Sequence, residues 1–177
     1  MMIIPGQLIA VATFPGVIVH EAAHFFFCRL FKLAVFDVCY FRVASPAGYV
    51  VHEDTNNFNA TFFISLGPFF INTLLCILFC SAAFPVWEFS DRNPLTLFFY
   101  WLGLSIGMHA IPSTADLRHV WERLPSAAKR GNPLALLGFP VVVLLFPLNT
   151  LRVVWADLWY GIAVGLLLPI AVLRVLV

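Results

Sequence analysis

His20, Glu21 and His24 lie within five residues of one another and read His-Glu-Ala-Ala-His. On a helix, residues four apart share a face, so His20 and His24 can hold one metal ion together. Glu21 follows the first histidine and can reach a water on that metal. This is the HExxH arrangement of zinc hydrolases. Zinc would lower the pKa of such a water to about 7, Glu21 would accept its proton, and Glu21 would later protonate a leaving amine. A catalytic zinc needs a third protein ligand. Asp116, His109, His52, Glu53 and His119 are the candidates, and Asp116 is preferred because it follows the Pro112-Ser113-Thr114 break. Its other reading is an N-cap for the segment that begins at Leu117. A developing oxyanion would need a further stabiliser, and His109 and Asn72 are polar groups stranded in apolar sequence. Asn72 reads equally well as a helix-to-helix hydrogen bond. Cys76 and Cys80, also four apart, are a possible metal pair but suit small packing residues better.

These residues sit in unusual surroundings. Of 177 residues, 62% are hydrophobic and only 11% charged, with a mean hydropathy of +0.94. Soluble domains carry about twice that charged fraction. The apolar residues fall in long blocks, so the expected fold is an all-α polytopic membrane protein, one domain over residues 1–177. Two histidines and a glutamate are costly in lipid, and catalysis is the usual reason for them. A net charge of +1 gives no sign of a nucleic-acid partner. No basic residue precedes Arg29, so the start reads as a retained first span and not as a signal peptide.

Five spans are expected: about Ile3 to Phe31 with a kink near Pro15-Gly16, Phe58 to Phe84, Leu95 to Ile111, a short block from Leu134 to Leu148, and Val153 to Val177. The first three form the core, about 3–120. The last two form a C-terminal pair, about 134–177. The β-branched and aromatic run Val35 to Val43, the turn signal Ser45-Pro46-Ala47-Gly48 and the run Tyr49 to His52 predict a β-hairpin. Leu117 to Pro133 reads as the most charged loop. With the N-terminus outside, Arg29, Lys32, Arg42, Arg118, Arg123, Lys129, Arg130 and Arg174 face the cytoplasm, and only Arg92 and Arg152 face out. That bias puts His24, the hairpin and Asp116 on the cytoplasmic side.

Three motifs in this order resemble the site-2 protease family of intramembrane zinc metalloproteases. They are His20 to His24, Ser45-Pro46-Ala47-Gly48-Tyr49-Val50 (similar to a PLGGYV-type hairpin segment), and His109 to Asp116 (similar to an N-x-x-P-x-x-x-L-D-G element). Gly67-Pro68 and Asn72 resemble the family's G-P-x-x-N element. The resemblance covers about residues 15–120. It implies a zinc ion held by His20, His24 and Asp116, Glu21 as base, and a hairpin that pairs around Gly48 and Tyr49 with an unwound substrate strand. It also implies transmembrane proteins as substrates, the bilayer as surroundings and a prokaryotic cytoplasmic membrane as location. The chain departs from the pattern in four ways. His109 replaces the asparagine, Asp116 comes one residue early without a following glycine, Gly67 to Asn72 is one residue longer, and no PDZ or CBS domain is attached. The competing expectations are a non-proteolytic zinc sensor or scaffold and a metal transporter, the latter disfavoured by the lack of inverted repeats.

Overall fold

The computed structural model describes residues 6–89 and 93–176, with side chains for 6–84 and 93–172. Ile3 to Pro5, Arg92, the Arg174 side chain and Val177 lie outside the described residues. Eight helices and one hairpin follow in the order α1 (Gly6–Ala12), α2 (Phe14–Leu30), β1 (Val35–Cys39), β2 (Tyr49–His52), α3 (Phe58–Phe89), α4 (Pro94–Met108), α5 (Thr114–Lys129), α6 (Pro133–Thr150), α7 (Ala156–Ile162) and α8 (Leu168–Leu176).

The expected first span is two helices. Thr13 takes a non-helical conformation and Pro15 stands in the first turn of α2, where its missing N–H costs nothing. The chain therefore restarts at this proline instead of kinking there, and α1 folds back at 86° to α2. Phe58–Phe84 within α3, 27 residues, and Pro133–Val154, 22 residues, are long and apolar enough to cross a membrane. The latter outruns the expected short block because a 3₁₀ turn, Leu151–Val154, continues α6. The third expected span is a helix of only 15 residues, α4. The last is broken, by left-handed Trp155 (φ 65°) and by a π turn at Ala163–Leu167.

Leu117 to Pro133 is no loop. Leu117, Val120, Leu124 and Ala127, spaced three and four apart, make one buried face of α5. They pack on Phe58, Phe62 and Leu66 of α3 and on Ala135, Val142 and Leu145 of α6. Side-chain ties give the directions. His24 meets Ile64 and Asn72 meets Gly16, so α2 and α3 are antiparallel. Gly107 and Gly103 pack on Cys76 and Cys80, so α4 runs back along α3. Arg123 binds Asp54 at 2.6 Å and Asn132 binds Asn59 at 2.8 Å, so α5 continues in the direction of α4 to the start of α3. α6 returns, and Asn149 reaches Thr114 at 2.8 Å. Gly161 then meets Gly107, and Gly165 meets Cys76 and Cys80, so α7 and α8 carry on beside α3. The chain thus makes four passes: α2, α3, α4 with α5, and α6 to α8.

The hairpin forms where expected. Its strands are antiparallel, with Val35 opposite His52 and Cys39 opposite Tyr49. It lies along α2: Tyr40 packs on Phe25, and Phe41 on Phe14 at 5.9 Å between centroids. Cys76 and Cys80 sit against Gly103, Gly107 and Gly165, with a Cβ at Gly107 falling 2.6 Å from Cys76 Sγ. That is the packing role, with small residues drawing helices together.

Candidate metal centre

Two prolines prepare the acceptors that orient the histidines. Within α3, Pro68 has no N–H to return to the carbonyl of Ile64, four residues earlier. That carbonyl is free to accept from His24 Nδ1, at 2.7 Å. His109 caps the end of α4, and Pro112, three residues on, likewise offers its carbonyl no donor. The His109 carbonyl accepts from His20 Nδ1 at 2.6 Å. A carbonyl only accepts, so each imidazole carries a proton on Nδ1 and turns its Nε2 inward.

Those two Nε2 atoms are 3.1 Å apart. When both rings are neutral, two lone pairs face each other there and a shared cation relieves their repulsion. The edge of a tetrahedral zinc site with bonds of about 2.0–2.1 Å is about 3.3 Å. Asp116 Oδ1 stands 3.8 Å from His24 Nε2. One ligand atom from each of His20, His24 and Asp116 lies within 4.8 Å of the others. Two imidazole nitrogens with hydrogen-bonded Nδ1 atoms and one carboxylate oxygen suit zinc.

Asp116 does not take the N-cap role open to it, and its side chain is shared between the helix start and the histidines. It is the third residue of α5, not its cap. The cap is Ser113, whose N–H and Oγ–H donate to Asp116 Oδ2 at 2.9 and 2.5 Å, while its Oγ accepts from the Asp116 N–H at 3.2 Å. This capping box occupies Oδ2 and aims Oδ1 at the histidines.

The centre opens on a cavity of about 550 Å³ between α2, the hairpin, α3 and the α4–α5 junction. Glu21 lines it. Among the described residues no group donates a hydrogen bond to the Glu21 carboxylate. Gly48 covers this side chain so closely that a Cβ there would lie 2.6 Å from Glu21 Cγ. Tyr49 lines the cavity, but its hydroxyl donates to Asp37 Oδ2 at 2.8 Å. That bond and the Asp37 charge hold its phenol above the usual range.

The other expected residues lie outside the cluster of His20, His24 and Asp116, although His109 lines the same cavity. Thr13 Oγ donates to the Ile9 carbonyl at 2.7 Å, so it accepts from His109 Nε2–H at 2.8 Å. The His109 ring is thereby tied to the α1–α2 bend. Asn72 is fully buried and absent from the cavity wall. Its amide donates to the carbonyls of Gly16, Ile106 and His109 at 3.1–3.4 Å, which fixes the carbonyl that orients His20. His52 and His119 line the cavity without joining the cluster, and Glu53 accepts from the Ala34 N–H. The residue that sequence reasoning missed is Arg152. Five alternating spans put it opposite Asp116, whereas the fold brings both to the wall of one cavity.

Comparison with known proteins gives no family for this chain: no protein-family model, no curated protein and no solved structure matches it.

Proposed function

We propose that the protein is an integral membrane zinc endopeptidase that hydrolyses peptide bonds within or near transmembrane segments, in the manner of the site-2 proteases it resembles. The observation that carries this reading is the pair of facing Nε2 atoms 3.1 Å apart, with Asp116 Oδ1 3.8 Å from that of His24 and the Glu21 carboxylate, which accepts no hydrogen bond from a described residue, on the same cavity. A zinc held only for structure has no use for that base. Two helices able to cross a membrane support the location. Arg29, Lys32, Arg123, Lys129 and Arg130 gather where α2 ends, α3 begins and α5 turns into α6, and we assign that end to the cytoplasm.

His20 and His24, through Nε2, and Asp116, through Oδ1, would hold the ion. When bound, zinc acidifies a water and polarises a carbonyl. Glu21 takes the proton of the attacking water. The water oxygen joins the carbonyl carbon, the carbon–nitrogen bond breaks, and the proton on Glu21 leaves with the amine. Strand β2 pairs only with β1 among the described residues, and Tyr49, Val50 and His52 line the cavity. Its free edge can pair with an extended substrate segment, which exposes the bond that a helix would bury.

Glu21→Gln tests the reading. Cleavage of a co-expressed membrane substrate should fall by about 100-fold or more, while bound zinc stays stoichiometric. Cleavage retained in a zinc-loaded Glu21→Gln protein would overturn the mechanism.

A further inference from the structure

Arg152 belongs to the 3₁₀ turn Leu151-Arg152-Val153-Val154. Its three neighbours point outward, with 49%, 62% and 59% of their surfaces exposed. Arg152 alone turns in, to the wall of the cavity that holds His20, Glu21 and Asp116. An arginine kept only for solvation would reach toward the watery end of the molecule, where its long stem lets it snorkel. This one is half-buried and faces the site instead.

Among the described residues it also has no counter-charge. The carboxylates there within 4.0 Å of a basic side chain are Asp116, beside His24, and Asp54, beside Arg123. No described carboxylate therefore lies within 4.0 Å of the Arg152 guanidinium, and no described acceptor takes a hydrogen bond from it. A guanidinium drawn out of bulk water without a partner is costly, and an anion brought by a ligand offsets the cost.

We propose that Arg152 is a specificity-determining residue that binds a carboxylate of the peptide substrate inside the cavity. Its planar fork matches a carboxylate through two parallel N–H···O bonds, which a lysine cannot reproduce. Apolar side chains, Val17, Val50, Ile64 and Ile111, share the rest of the cavity wall with the His52 and His119 imidazoles. The preferred substrate is then an apolar segment carrying one carboxylate close to the cleaved bond. That carboxylate is either the chain terminus or an Asp or Glu side chain. The proposal rests on the cavity being a peptide site, as in the proposed function.

The test is binding by the full chain in detergent, zinc-loaded and carrying Glu21→Gln so that no peptide is consumed. Two pairs of short apolar peptides are compared: C-terminal carboxylate against amide, and internal Glu against Gln. At least one pair should be distinguished by about tenfold or more, as charge-assisted bonds give. Adding Arg152→Gln should reduce that ratio to within about twofold, and Arg152→Lys should restore part of it. Zinc content and melting temperature report folding in both variants. The pair that is distinguished names the source of the carboxylate. Discrimination of neither pair, or a ratio that survives Arg152→Gln and so belongs to the metal, overturns the proposal. Arg152-dependent discrimination by a protein that cleaves no peptide would sink the protease reading and leave the anion site standing. Cleavage without discrimination would do the reverse.

Discussion

Asp116 divides its two oxygens between two tasks. Oδ2 accepts from the Ser113 N–H and Oγ–H, and Oδ1 stands 3.8 Å from His24 Nε2. The sequence offers ligand and helix start as alternatives because a motif cannot assign two oxygens separately. The histidines are easier to read, since a four-residue spacing decides their common face before any tertiary contact forms. His52 tests the distinction, because it lines the cavity but bonds its neighbour Glu53 through Nδ1. Zinc content by elemental analysis should fall to a small fraction in Asp116→Ala and stay at the wild-type level in His52→Ala. The opposite pattern would give the third position to His52. Arg152 had no such signal: one arginine between apolar blocks reads as a span end, and only its neighbours' outward exposure marks it as turned in.

Proline placement links the helices to the histidines. Pro68 and Pro112 each withhold an N–H, and the carbonyls of Ile64 and His109 are thereby left to orient His24 and His20. The Gly67-Pro68 pair is visible in the sequence, but its consequence is not, because α2 must first dock against α3. Pro68→Ala should separate the two effects. It restores a helical donor and removes a helix-interior proline, so the metal-free protein should melt at the same or a higher temperature. The new N–H competes for Ile64, so zinc affinity should fall by about 10-fold or more. A competition titration against a chelator measures this, and undiminished affinity would refute the role given to Pro68. The hairpin was readable from its alternating β-branched residues and turn signal. The charges between Leu117 and Pro133 predict a loop where α5 forms. Yet Leu117, Val120, Leu124 and Ala127 already carried the helical period, and α3 and α6 supply the surface that buries them.

Four runs of chain organise the described residues, and a labelling experiment can check how they cross a membrane. α4 and α5 run the same way, so Asn93 and Lys129 lie at opposite ends. In a Cys39→Ser background, with buried Cys28, Cys76 and Cys80 retained, single cysteines at the two positions can be probed with an impermeant maleimide. The Asn93→Cys protein should be labelled on intact cells, and the Lys129→Cys protein only after the membrane is opened. Labelling of both from one side would refute the pass order, and the inverse pattern would reverse the orientation. Hydropathy registers apolar blocks, whereas two of the four runs are assembled from several helices. α4 joins the amphipathic α5, and α6 joins α7 and α8 across a 3₁₀ turn and a left-handed tryptophan. Local rules were enough for the apolar character, the hairpin and the ligating face of α2, since helix and strand periodicities depend on neighbours in the chain. The meeting of Asp116 with His24, the freeing of two carbonyls for the histidines and the entry of Arg152 into the cavity join residues dozens of positions apart. Only the packing of α2, α3, α5 and the turn after α6 brings those atoms together.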